Sequence, residues 1–284
     1  MKKKHSDYFE LLKKRIIDDH ILTPELSELY KSLFLFHEKY IEKLSSLDWK
    51  VQFVNKNNKL PLINSSKIKF TPENRSSLQE SLFELIDIVT KNQGGLDFSR
   101  MVDVLKDNER HYEDIIKNLL SGEFEELQKL SREFKMGIEE LIFLSINWFK
   151  PFLIAVRNMY CDTIDTSGWE KTHCPVCGYF SDISKIIESR DNARMLHCGF
   201  CEYEWKFPRL VCAVCENKDM DTQGYLVHED DARYRIDYCD KCMGFIKTIR
   251  IPGKDEESRY DLTVENLITN FLDASAIEMG YNRP

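Results

Sequence analysis

Eight of the nine cysteines in this chain fall into four Cys-x-x-Cys pairs: Cys174/Cys177, Cys198/Cys201, Cys212/Cys215 and Cys239/Cys242. A two-residue gap lets both sulfurs of a pair face one ion, and two such pairs about twenty residues apart close a tetrahedron around it. The count supplies two complete tetrathiolate sites. Inner loops of twenty and twenty-three residues predict that consecutive pairs share an ion. A cross-braced arrangement, in which the first pair shares an ion with the third, is the alternative. Ribbons this small bury too little surface to offset chain entropy, and a structural tetrathiolate ion contributes roughly 10–16 kcal/mol in peptide models. Four sulfurs also close the coordination shell, so metal hydrolysis is not expected. Zinc and iron both accept this ligand set, which leaves the metal open. A thioredoxin-like redox motif needs one such pair at a helix start after a strand, and four paired motifs argue against it.

None of the cysteines precedes Cys161 in the 284 residues, so the first half must fold on its own apolar core. That half reads as helical. Thr23 is a candidate N-cap with Pro24 at the first helical position, and Leu26, Leu29, Tyr30, Leu33, His37, Tyr40 and Leu44 then recur at three- and four-residue steps. Leu78, Leu82, Leu85, Ile86 and Val89 repeat the pattern before a stop at Gly94-Gly95, and further helices are predicted over 98–105, 109–120, 123–134 and 138–160. The segment from Val51 to Pro72, rich in Asn, Lys and Ser, is expected to be a surface-hugging connector, with a binding loop as the other reading.

After Ser167 the periodicity changes. Ile183–Ile187 and Met195–Leu196 flank the turn Arg190-Asp191-Asn192, which predicts a hairpin between two knuckles. Gly224–Val227 and Tyr234–Tyr238 repeat that plan around Glu229–Asp231, Phe245–Ile251 supplies a third strand, and Tyr234, Ile236 and Tyr238 alternate toward one face. A helix over Val264–Met279 closes the chain. The expected architecture is therefore α plus small β. A helical domain (1–165) precedes two tandem rubredoxin-like or zinc-ribbon tetracysteine modules (166–210 and 211–284), the second carrying the C-terminal helix.

Net charge is −8, and from Cys174 to Pro284 twenty acidic residues outnumber fourteen basic ones. This gives no general attraction to a phosphate backbone. Arg233, Arg235, Lys241, Lys247 and Arg250 are interleaved with Asp230, Asp231, Asp237 and Asp240, which argues against a zinc-ribbon nucleic-acid binder. The first ten residues lack the apolar stretch of a signal peptide, and Leu141–Tyr160 is interrupted by Lys150, Pro151 and Arg157, so a cytoplasmic protein that does not span a membrane is expected. Thiols stay reduced there and serve as ligands. His173 and His197 precede knuckle cysteines but are expected outside the ligand set. Cys161 is read as an ordinary buried thiol, and Trp205 as packing against its ribbon. No phosphate loop, nucleophile elbow or His-Glu-x-x-His pair signals an enzyme.

Several motifs occur in a set order: Gly168-Trp169, Cys174-Pro175-Val176-Cys177-Gly178, Arg194-x-Leu196-x-Cys198-x-x-Cys201 with Trp205, Arg209-x-x-Cys212-x-x-Cys215, and Cys239-x-x-Cys242-x-x-Phe245-x-Lys247. Together with Leu272-Asp273, Gly280-Tyr281-x-Arg283 and the earlier Leu60-Pro61-Leu62, this order resembles the FdhE family, accessory proteins of formate dehydrogenase. Phe245 in place of Tyr, Tyr179 after the first knuckle and the Val264–Ile268 helix start depart from the family pattern. The resemblance implies a cytoplasmic, non-catalytic maturation factor that binds the catalytic subunit of an exported respiratory formate dehydrogenase. It also implies rubredoxin-like sites able to hold iron. A rubredoxin-type electron-transfer protein is the alternative, and the choice between monomer and homodimer stays open.

Overall fold

The computed structural model describes residues 23–45, 54–55, 61–92, 97–160, 162, 164–253, 257 and 259–283. The expectations for the first ten residues, Gly94-Gly95 and Cys161 lie outside them. The chain divides into two compact units, Met1–Ile164 with Val176–Tyr179, and Asp165–Pro175 with Phe180–Pro284.

The described part of the first unit is helical: α1 (Pro24–Ser45), α2 (Pro72–Asn92), α3 (Ser99–Asp107), α4 (His111–Ser121), α5 (Phe124–Phe134) and α6 (Ile138–Tyr160). Thr23 starts α1 as expected, its hydroxyl accepting the Leu26 N–H at 3.3 Å. The periodic residues Leu29, Leu33, His37, Tyr40 and Leu44 are buried. Helix α6 is apolar around most of its circumference and packs against α1, α2, α4 and α5. Trp148, fully buried at its centre, donates its indole N–H to Leu78 O at 2.8 Å and to Ser81 Oγ at 3.1 Å.

Pro151 lies inside α6. It has no N–H, so the Asn147 carbonyl one turn earlier loses its helical donor. His37 of α1 supplies a replacement, with Nε2 at 3.2 Å from Asn147 O. A carbonyl oxygen can only accept, so the imidazole donates and this tautomer is set. Of the segment between α1 and α2, residues 54–55 and 61–71 are described. Val54 bridges to Ile63, Ile68 is 0% exposed, and the Phe70 ring packs 5.6 Å from Phe152.

The second unit contains one six-stranded sheet: β1 (Ser181–Ile187), β2 (Ala193–Cys198), β3 (Glu204–Phe207), β4 (Gln223–Val227), β5 (Tyr234–Cys239) and β6 (Gly244–Ile251), in the order β3-β2-β1-β6-β5-β4. The predicted hairpins are β1–β2 and β4–β5. Strand β6 runs antiparallel to β5 and parallel to β1, so the strands of both cysteine-rich segments share one sheet. Tyr234, Ile236 and Tyr238 do face one side. There they join Ile183, Phe245 and Ile249 against Leu262 of α7 (Leu262–Ile268) and Leu272 and Ala276 of α8 (Asn270–Glu278).

Two elements differ from the sequence expectation. Strand β3 was not foreseen, because four residues carry too little alternation to be read. The final helix is not continuous but breaks at Thr269, whose φ is −106° and ψ 26°. The buried Lys247 ammonium draws the carbonyls of Asn266 (2.7 Å) and Thr269 (3.4 Å) toward itself and pairs with Asp273 at 2.8 Å. The Thr269 hydroxyl adds a bond back to Glu265 O at 2.6 Å. The Thr269 carbonyl also takes the Leu272 N–H at 3.0 Å, a three-residue step with which the second helix starts.

Replacing His37 with Ala leaves a buried carbonyl without a donor and is expected to cost about 1–3 kcal/mol. Pro151→Ala restores an N–H to Asn147 O, so the double variant should be less destabilised than the two single variants added together. Urea denaturation of all four proteins reads the coupling.

Candidate metal centres

The eight paired cysteines gather into two groups, Cys174, Cys177, Cys198 and Cys201, and Cys212, Cys215, Cys239 and Cys242, with the sulfurs of each group within 4.8 Å of one another. Consecutive pairs are joined, as the loop lengths predict, and the cross-braced alternative does not occur. The sulfur separations include 3.5 Å for Cys174–Cys201, 3.9 Å for Cys212–Cys242 and 4.0 Å for Cys215–Cys239. A disulfide would need about 2.05 Å. Four ligands about 2.3 Å from one ion in a tetrahedron have edges of about 3.8 Å, so both groups fit a tetrathiolate ion.

Local backbone explains how each pair turns inward. The residue after the second cysteine is left-handed in every knuckle: Gly178 (φ 82°), Glu202 (57°), Glu216 (60°) and Met243 (51°). The second and third knuckles close alike. Glu202 N–H donates to Cys198 O and Glu216 N–H to Cys212 O, while Cys198 N–H and Cys212 N–H donate to Tyr203 O and Asn217 O. Amides also point at sulfur, from Cys201 to Cys198 at 3.4 Å and from Val214 and Cys215 to Cys212 at 3.3 and 3.4 Å. Such donors favour the thiolate. Burial works against ionisation of Cys239, but the amides of Cys242 and Lys241 and the Asn217 side chain outweigh it and lower its pKa to about 7. Burial dominates at Cys212 and pushes that thiol up to about 11.

The two groups differ in access. All four cysteines of the first are buried, whereas Cys215 is exposed and Cys242 half-buried in the second. The flanking histidines stay outside both groups. His197 is buried and pairs through Nδ1 with Asp182 at 2.8 Å; burial opposes its charge, but Asp182 prevails and raises its pKa to about 9. His173 meets the Trp169 ring edge-on at 5.0 Å, and burial lowers its pKa. Trp205 is buried in β3, its indole donating to Lys171 O at 3.0 Å. Lys171 in turn pairs with Glu216 of the third knuckle at 2.8 Å.

Beyond the family resemblance, sequence reasoning weighed Lys247 only as part of a basic patch and assigned Asp273 and Arg283 no role. The structure joins them around Asp273, with Arg283 at 2.7 Å, and burial lowers the Lys247 pKa to about 8. An isolated lysine in an apolar strand, Phe245-Ile246-Lys247-Thr248-Ile249, was the available signal.

Gly178→Ala forces a side chain into a left-handed position and is expected to cost about 1–2 kcal/mol. Glu202→Gly, which relieves that strain but adds chain entropy, should be nearly neutral. Thermal denaturation of the metal-loaded proteins compares them.

Residues 173–209 match the family model "FdhE, central domain". A protein described as "Protein FdhE homolog" from Aquifex aeolicus is 30% identical over 171 residues, covering 58% of this chain and 59% of that one. The Haemophilus influenzae homolog is 25% identical over 178 residues, covering 60% and 56% of the two chains. The match thus spans a little over half the length of these relatives. The crystal structure of the FdhE protein from Pseudomonas aeruginosa superposes with a TM-score of 0.55 at 17% identity, over 99% of this chain and 93% of that one, which shows a shared fold. Residues 173–209 thus resemble the FdhE central domain, and the chain is similar in sequence over a little more than half its length to FdhE homologs and in fold to the Pseudomonas protein.

Proposed function

We propose that this protein is a cytoplasmic, non-catalytic accessory factor that binds the catalytic subunit of an exported respiratory formate dehydrogenase and supports its assembly or activation. Cys174, Cys177, Cys198 and Cys201 would hold one mononuclear ion, and Cys212, Cys215, Cys239 and Cys242 a second, each iron or zinc. The convergence of these thiols into two complete tetrahedra, in a chain with FdhE relatives, carries the reading. A shell filled by four sulfurs has no position for substrate, which suits a scaffold. No helix among the described residues is long and apolar enough to cross a membrane.

The basic residues around the ribbon support a protein partner over nucleic acid. Arg233 is held by Asp231 and Tyr260, Arg235 by Asp237, and Arg250 by Glu188. Guanidiniums engaged in this way give little to a phosphate backbone. A rubredoxin-type electron-transfer role is favoured by one observation, the exposure of Cys215 beside half-buried Cys242, which brings sulfur of the second centre to the surface. Ferric thiolate absorption that bleaches on reduction marks that role, and a colourless zinc protein purified without oxygen excludes it.

The accessory reading predicts that a tagged formate dehydrogenase catalytic subunit retains this chain, and that deleting its gene abolishes formate-dependent respiration. Intact respiration in the deletion strain overturns it. The difference in cysteine access predicts two-phase metal loss to a chromogenic chelator, one ion per phase. Cys215→Ser should remove the fast phase, and Cys177→Ser should leave it in place.

A further inference from the structure

Strand β4 ends the sheet. His228 N–H donates to Tyr234 O and Asp240 N–H to Thr222 O, so the even-numbered residues of this ladder face β5. The Gln223 N–H is taken by Met220 O, so the Gln223 C=O and the N–H and C=O groups of Tyr225 and Val227 point outward from the sheet. Edge strands are ordinarily protected by charge, proline or a bulge. The sequence Gln223-Gly224-Tyr225-Leu226-Val227 has no charge or proline and pairs with β5 without a bulge. Tyr225, Leu226 and Val227 are 59%, 43% and 43% exposed.

A pocket of 160 Å³ opens beside this edge, lined among others by Tyr225, Met220, Arg194, Arg209, Arg235 and Asp237. Arg235 lies over the Tyr225 ring at 4.6 Å and pairs with Asp237 at 2.8 Å. Arg194 is only 4% exposed, reaches Asp237 at 3.1 Å, and has no hydrogen-bond partner for its buried Nε. Two guanidiniums thus hold one carboxylate, and a third, the exposed Arg209, lines the same pocket. The thiols of the second centre begin at the pocket wall with Cys212, so the donors act by position more than by a net positive field.

We infer that β4 is a docking edge for an extended segment of a partner protein, which adds as a further strand and places one carboxylate, flanked by apolar residues, against the exposed Arg209 at the mouth of this pocket. Main-chain bonds to the Gln223 carbonyl and to Tyr225 and Val227 supply affinity, and the arginine pocket supplies selectivity. A second copy of this chain fits poorly. Antiparallel pairing centred on Tyr225 brings Asp221 against Glu229 and Asp219 against Asp231, acid on acid. The inference takes only the partner's identity from the accessory reading.

Hydrogen exchange of the full, metal-loaded chain tests the edge, using a short fluorescein-labelled peptide of alternating threonine and valine around a central glutamate, with a glutamine version as control. The Tyr225 and Val227 amides are expected to exchange freely alone and to slow about tenfold with the glutamate peptide. Tyr225→Pro removes an outward N–H without touching the β5 ladder, so it should abolish binding while metal content stays unchanged. Arg209→Gln, at an exposed position, should erase the preference for glutamate. Unchanged exchange at millimolar peptide, or equal binding by Tyr225→Pro, overturns the inference. Sedimentation showing a dimer that Tyr225→Pro dissociates assigns the edge to a second copy and overturns it as well. If the catalytic subunit is not retained but the peptide binds, the accessory reading falls and the edge stands. If Tyr225→Pro retains the subunit as well as the parent does, the edge falls and the accessory reading stands.

Discussion

Four thiols brought within 4.8 Å of one another at each of two points hold the ends of the hairpins that make the sheet. The chain accepts a backbone cost to reach that arrangement, because three of the four left-handed knuckle positions carry Glu202, Glu216 and Met243 instead of glycine. Each such residue costs about 1–2 kcal/mol, well below the roughly 10–16 kcal/mol that a structural tetrathiolate ion would return if bound there. The inward amides lower the cost of ionising the sulfurs, and they are aimed by the same turns. Knuckle geometry and ligand chemistry are therefore one constraint.

Around the clusters, the sheet divides its labour by face. One side, with Tyr234, Ile236, Phe245 and Ile249, is closed by α7 and α8. Lys247 on that side does not pair with solvent; its ammonium gathers two backbone carbonyls and Asp273, which fixes where the C-terminal helices break. On the other side Arg194, Arg235 and Asp237 surround the pocket. The alternation of a strand thus places apolar packing and an arginine cage on opposite faces of β5.

Much of this was legible in the residues. Spacing alone predicted which cysteines gather, because a closed loop of twenty-odd residues returns one knuckle to the next with little strain. Helix α1 was readable from its N-cap and apolar stripe, and the two hairpins from their turn signals. Strand β3 was not, since Trp205 and Phe207 give only two apolar positions. The break at Thr269 was hidden too, because its cause is a lysine more than twenty residues upstream in another element.

The sequence by itself determined the helical first half and the pairing of knuckles, because these depend on periodicity and on cysteine spacing within short stretches. Only the tertiary structure decided that β6 lies parallel to β1 and merges both cysteine segments into one sheet. It also decided that His37 serves the carbonyl orphaned by Pro151, and that Arg194, Asp237 and Arg235 meet beside an unprotected edge. These arrangements join residues far apart in the chain, and the chemical type of each partner is common enough that nothing local marks which one it will meet.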